Sequence, residues 1–159
     1  RMVDLGCGTG LAGMALADEA ETIVGVDLAE DILAEADDRG VYDALFVGDA
    51  VQFLAEEETP ADLIVATDVL PYLGDLTAFF DGVARCLAPG GVVAFSSETG
   101  SEDWAVGPSH RFLHSEAYLR RMLSAHGLAP LSVEEIVVRL EEGHPAPGHL
   151  IIAQKPTGP

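Results

Sequence analysis

Three glycines at alternate positions, Gly6, Gly8 and Gly10, follow an apolar segment carrying one acid, Asp4, in Val3-Asp4-Leu5-Gly6-Cys7-Gly8-Thr9-Gly10. Glycine lets a backbone turn sharply there and bring its N–H groups against a ligand. The Leu11–Ala20 segment reads as a helix, so its positive N-terminal end would face the same ligand. Such a loop suits the holding of a nucleotide-type cofactor. Asp27 closes the next apolar segment about 20 residues on, where a ribose-binding acid belongs. Cys7 inside the loop reads as a small filler and not as a nucleophile. The five histidines all lie after residue 109. His110 and His114 have an i, i+4 spacing, but the helix cap at Ser115 follows both, so no metal site is expected. Tyr72, Glu98, Trp104, His110, Arg111 and Tyr118 are the candidates for substrate contact. Among them Arg111 could clamp a carboxylate, and Trp104 could anchor a lid.

The elements that must position these residues follow a regular order. Strands are predicted at Arg1–Leu5, Glu21–Asp27, Ala44–Gly48, Asp62–Thr67 and Val92–Ser96. Helices are predicted at about 11–20, 29–39, 50–58 and 75–88 between them, the last from apolar Leu76, Phe79, Phe80, Val83, Ala84 and Leu87. Alternation of this kind, with apolar central strands, means a parallel sheet covered on both faces. Residues 97–113 read as a long polar loop, of the kind that forms a lid or binding loop. Ser115 caps a helix running to about His126. Leu131–Leu140 and His149–Gln154 read as two more strands, joined by the Gly- and Pro-rich stretch Glu141–Gly148.

Composition bounds the partners. The 159 residues fit one domain, here 1–155, with 156–159 as a flexible tail. Lys and Arg total 8 against 27 acids, a net charge of −19. That charge repels phosphate backbones and anionic lipids, so neither nucleic acid nor membrane is an expected partner. Two cysteines without a disulfide framework or zinc spacing fit a reducing cytoplasm. Arg1 already stands at the edge of the first strand, so an N-terminal lid segment is expected to be missing.

Two cofactors compete for the glycine loop. Gly8, Gly10 and Gly13 fit G-x-G-x-x-G, and with Asp27 they suggest a dinucleotide and an NAD-dependent oxidoreductase. The register disfavours this, because the first strand ends by Leu5 and the turn glycine should be Gly6. Counted from Gly6, the third glycine position holds Leu11. A non-catalytic cofactor-binding module is the other alternative.

Asp4-Leu5-Gly6-Cys7-Gly8-Thr9-Gly10 resembles the first motif of class I S-adenosylmethionine-dependent methyltransferases. The likeness continues through Asp27, Gly48-Asp49-Ala50, Thr67-Asp68-Val69-Leu70 and Leu87-Ala88-Pro89-Gly90-Gly91. It implies an α/β, Rossmann-like, doubly wound seven-stranded sheet in the order 3-2-1-4-5-7-6, with strand 7 antiparallel. It also implies S-adenosylmethionine as cofactor. Asp4 would support the loop and the ammonium, and amides of the Gly6, Cys7, Gly8 and Gly10 loop would receive the carboxylate. Asp27 would bind the ribose hydroxyls, and Asp49, with Gly48 and Ala50, the adenine amine. Leu28 and Ile32 would pack on the adenine, while Asp68 and Val69 would lie by the methionine end. Methyl transfer to a small-molecule acceptor is the implied reaction, with Tyr72, Trp104 and Arg111 toward the acceptor. His110, His144 and Tyr72 are the candidate catalytic groups. The stretch His114–Arg121 also resembles a bacterial branch of predicted methyltransferases, some linked to tetratricopeptide repeats.

Overall fold

The computed structural model describes residues 1–158; Pro159, at the end of the expected tail, lies outside the described residues. Strands β1 (Met2–Leu5), β2 (Ile23–Asp27), β3 (Ala44–Val47), β4 (Ala61–Ala66) and β5 (Leu87–Glu98) pair in parallel in the order β3-β2-β1-β4-β5. The pairing of β5 with β4 becomes regular from Val92, after the Pro89-Gly90-Gly91 turn, where Gly90 has φ +80°. Two long strands, β8 (Ala129–Glu141) and β9 (His144–Gln154), complete the sheet, with β9 antiparallel between β5 and β8. This is the expected seven-stranded topology, with two higher labels because a separate hairpin, β6 (Trp104–Val106) and β7 (Phe112–His114), intervenes.

Helices α1 (Leu11–Ala15), α2 (Glu30–Asp38), α3 (Ala50–Glu56), α4 (Thr77–Cys86) and α5 (Glu116–Ala125) cover the sheet. The two-residue side-chain period of β1 divides its residues between the faces. Val3 and Leu5 join the main core with Phe79, Phe80, Phe95 and Leu119. Met2 joins a smaller cluster beneath Ala12, Leu16 and Tyr42, and Asp4 shares that face.

Three sequence expectations need correction. The helix expected over Leu11–Ala20 is five residues of α-helix, then a 3-10 turn at Ala17–Glu19. So short a helix has little dipole to offer a ligand. Residues 97–113 are not loop throughout, because β6 and β7 pair within them, and Trp104 meets Phe112 edge-on with centroids 6.0 Å apart. The Glu141–Gly148 stretch is mostly strand. β8 and β9 meet at Glu142-Gly143, both with positive φ, and pairing begins at Glu141↔His144. Pro145 and Pro147 are tolerated there because only some strand N–H groups need partners. Gly148 permits a close approach: a Cβ there would collide with the Ser97 carbonyl oxygen.

Candidate active site

The glycine loop is built to leave space. Gly6, Gly8 and Gly10 have φ of +60°, +55° and +94°, a region that side chains strain to enter. A Cβ on Gly6 would press on Val69 at 2.9 Å, and one on Gly10 on Tyr42 at 3.0 Å; one on Gly8 would meet nothing within 4 Å. Gly8 alone therefore faces open space. Several loop amides are spent inside the protein. Cys7 N–H donates to the Val26 carbonyl and Gly10 N–H to the Cys7 carbonyl, each at 3.0 Å. Gly8 N–H donates to Asp27 Oδ2 at 2.9 Å, and Asp27 Oδ1 accepts from Ala29 N–H at 3.0 Å. Asp27 thus ties the loop to the end of β2 while each oxygen keeps a further lone pair.

Asp4 lies beneath the loop and not on the cleft. It is fully buried, and Tyr42 Oη donates to its Oδ2 at 2.6 Å. Burial pushes its pKa up to about 6, against the lowering effect of the Tyr42 hydrogen bond. Asp4 thus bonds Tyr42, whose ring packs against Gly10, while its Oδ1 has no hydrogen-bond partner and no oxygen is exposed for an ammonium. Tyr42, which the sequence analysis did not single out, organises this region. Its ring fills the space that a Cβ on Gly10, Gly13 or Gly25 would need. Gly13, the third glycine of the dinucleotide pattern, is therefore accounted for by a tyrosine and not by a ligand.

Gly6, Gly8, Asp27, Leu28, Ile32, Gly48, Asp49, Ala50, Asp68, Val69 and Tyr72 surround one cleft of about 370 Å³, joined by Val51 and Leu73. Asp49 also caps α3, accepting from Gln52 N–H at 2.9 Å. Cys7 and Gly10, named with them from the sequence, do not line it. Cys7 is buried, and burial, followed by the nearby Asp4 and Asp27, pushes its thiol up to about 12. Iodoacetamide at about pH 8 is expected to leave Cys7 unmodified in the native chain and to alkylate it after urea unfolding, as read by mass spectrometry.

A second cavity, of about 400 Å³, adjoins the first through Asp68. Arg111 crosses its mouth. Its Nε donates to Glu98 and its Nη2 to Asp68, both at 2.7 Å, and its guanidinium lies 5.2 Å from the Tyr72 ring centre. Arg139, another residue missed from sequence, pairs with Glu98 from the opposite side. Only the β8–β9 register brings it there, which the strand pattern alone does not specify. Trp104 and Phe112 pack over Gly74, so Trp104 holds the hairpin down and lines neither cavity. Tyr118 is buried and its Oη accepts from Leu76 N–H at 2.9 Å, a structural role.

The histidines fall outside both cavities. His110 is exposed in a turn with φ +64°. His144 lines a third hollow at the β8–β9 tip with Glu141 and Glu142, which meets the second cavity at Glu98. His114 is buried and bonds the Gly74 carbonyl at 3.0 Å, and burial lowers its pKa. No metal-binding group of His, Cys, Asp and Glu occurs among the described residues, and no helix is long and apolar enough to cross a membrane.

Residues 3–93 match the model of a family described as methyltransferase domain. Ubiquinone biosynthesis O-methyltransferase of Xylella fastidiosa (strain 9a5c) is 29% identical over 147 residues, covering 90% of this chain and 51% of that protein. Trans-aconitate 2-methyltransferase of Variovorax paradoxus (strain S110) is 33% identical over 119 residues, covering 74% and 44% respectively. The chain spans about half the length of these curated relatives. A SAM-dependent methyltransferase from Methanosarcina mazei superposes with a TM-score of 0.75 at 19% identity, over 99% of this chain and 92% of that one. One from Mesorhizobium loti gives 0.73 at 24%, over 98% and 90%. The sheet order is thus that of these enzymes, and with more than half its length matched by the family model, the chain belongs to the methyltransferase domain family.

Proposed function

We propose that this chain is an S-adenosylmethionine-dependent methyltransferase acting on a small-molecule acceptor. One observation carries the reading: the cleft beside the glycine loop is lined by Asp27, Asp49 and Asp68 and by no Lys or Arg. Acids without cations suit a cationic, diol-bearing nucleoside and not a pyrophosphate, which needs positive partners or free amides. The open space above Gly8 and the apolar Leu28 and Ile32 fit the same group.

S-adenosylmethionine bound there supplies an electrophilic methyl carbon on a cationic sulfonium. Asp27 would accept from the ribose hydroxyls through its free lone pairs, Asp49 would accept from the adenine amine, and Leu28 and Ile32 would cover the base. Asp68, exposed where the two cavities meet, places negative charge near the methionine end. The acceptor enters the second cavity, where Ile136, Val138 and Leu150 offer an apolar wall. Holding both reactants for an in-line approach can remove about 7–11 kcal/mol of barrier. No histidine lines either cavity, so His110 and His144 take no part in the transfer, and Tyr72 is the candidate catalytic group that lines the cleft.

Calorimetric titration of the chain with S-adenosylhomocysteine and, separately, with NADH tests the reading. Saturable binding of the first and none of the second is expected. NADH binding without a response to S-adenosylhomocysteine would overturn it and restore the oxidoreductase alternative.

A further inference from the structure

The second cavity has a feature that methyl transfer does not require. Two of the chain's eight Lys and Arg residues, Arg111 and Arg139, line it. None lines the cofactor cleft. Asp68 and Glu98 line it as well, so its charged lining is balanced, in contrast with a chain of net charge −19.

Their partners are of two kinds. Glu98 is buried, its side chain 3% exposed, and it holds Arg111 at Nε and Arg139 from the other side. A carboxylate so enclosed has little room to leave, and it fixes the plane of the Arg111 guanidinium. Asp68 is different. Its side chain is 59% exposed, and it pairs with Nη2 on the outward edge of Arg111. Ion pairs with so exposed a partner are weak and readily exchanged. Glu141, the outer partner of Arg139, is likewise more exposed than Glu98. Arg111 therefore presents a fixed donor edge whose present partner is replaceable. Ser97, on the same cavity, has a buried hydroxyl with no hydrogen-bond partner.

We infer that the acceptor is a small carboxylic acid, held by its carboxylate on the Nη edge of Arg111 in exchange for Asp68, with its apolar body against Ile136, Val138 and Leu150. This rests on the proposed methyltransferase reading, because the same cavity opens onto the cofactor cleft at Asp68. A planar guanidinium held from behind matches a carboxylate in a way that a neutral amide of the same shape cannot. Glu98 and Arg139 act through Arg111 as positioning residues.

The test titrates the 159-residue chain, with and without saturating S-adenosylhomocysteine, with four matched pairs: benzoate and benzamide, phenylacetate and phenylacetamide, cinnamate and cinnamamide, succinate and succinamide. At least one acid is expected to bind about tenfold or more tightly than its amide, on the order of 1.4 kcal/mol. Asp68→Asn, which removes the competing carboxylate, is expected to strengthen acid binding in the chain without S-adenosylhomocysteine, an effect that a purely structural ion pair would not give. Arg111→Gln, which leaves Glu98 paired with Arg139, is expected to lose the preference for acid. Equal binding of every acid and its amide, or an acid preference that survives Arg111→Gln, would overturn the inference. Acid preference without S-adenosylhomocysteine binding would instead contradict the cofactor reading alone.

Discussion

Gly8→Val is expected to abolish S-adenosylhomocysteine binding in a chain that still folds. Gly8 has φ +55°, where a β-branched residue costs roughly 1–2 kcal/mol. A Cβ added there would meet no protein atom within 4 Å, so the new side chain stands in the cleft and displaces nothing else. The strain also works against the Gly8 N–H bond that joins the loop to Asp27. Affinity is expected to fall at least 100-fold by calorimetry, about 3 kcal/mol. The melting temperature should fall only by roughly 3–6 °C. Gly13→Val is the contrast. Its side chain would collide with Tyr42 inside the fold, so loss of stability is expected first. Near-normal binding by Gly8→Val would show that the cofactor lies elsewhere.

Asp4→Asn is expected to remove a loss of stability that the parent suffers as pH rises to neutral. Asp4 is fully buried and its pKa rises from 3.8 to about 6, burial being the main cause. Between those values the folded chain keeps a proton that the unfolded chain has released. The stability Asp4 contributes is therefore complete below about pH 4 and is lost as pH rises through about 6. A rise of roughly two units corresponds to about 3 kcal/mol. Asparagine keeps the shape, still accepts from Tyr42 Oη and carries no charge, but it sets an amide N–H at the place of Oδ1, which has no partner, at a pH-independent cost of about 1–3 kcal/mol. Urea unfolding is expected to show the stability of the variant relative to the parent rising by about 2–3 kcal/mol between pH 4 and pH 8. Tyr42→Phe removes the one side-chain hydrogen bond that lowers the Asp4 pKa, so the pH-dependent loss should deepen and move upward. A gap between parent and Asp4→Asn that does not change with pH would mean that Asp4 titrates alike in the folded and unfolded chain, against the rise that burial gives it.

The parallel strands and the glycine loop are legible in the sequence for physical reasons. Runs such as Ile23–Asp27 and Ala61–Ala66 are apolar enough to be central strands, and glycines at alternate positions after a strand have few other uses. Asp27 ends β2 and Asp49 stands two residues past β3 as the cap of α3, both at the carboxyl edge of the sheet, where a ligand cleft forms in open α/β folds. Features fixed by long-range packing were not legible. Tyr42 matters because the β1 alternation turns Asp4 toward it, and because Gly10, Gly13 and Gly25 leave room for its ring. Glycines at Gly13 and Gly25 with no turn to explain them were the available hint. The short α1 kept its helical pattern in sequence but gave way to a 3-10 turn. Pro145 and Pro147 suggested a loop where an edge pairing accommodates both. His110 and His144 looked chemical by type, but the hairpin and the β8–β9 tip carry them away from the cleft.

The acid-lined cleft over Gly8 is expected to hold an adenosine-bearing cofactor by its diol and its base. A crystal structure of the chain grown with S-adenosylhomocysteine tests this most directly. The expected result is ribose hydroxyls on the Asp27 carboxylate, the base against Leu28 and Ile32, and its amine at Asp49. A nucleoside bound outside this cleft, or bound inside it without contact to Asp27, would rule out this mode of binding.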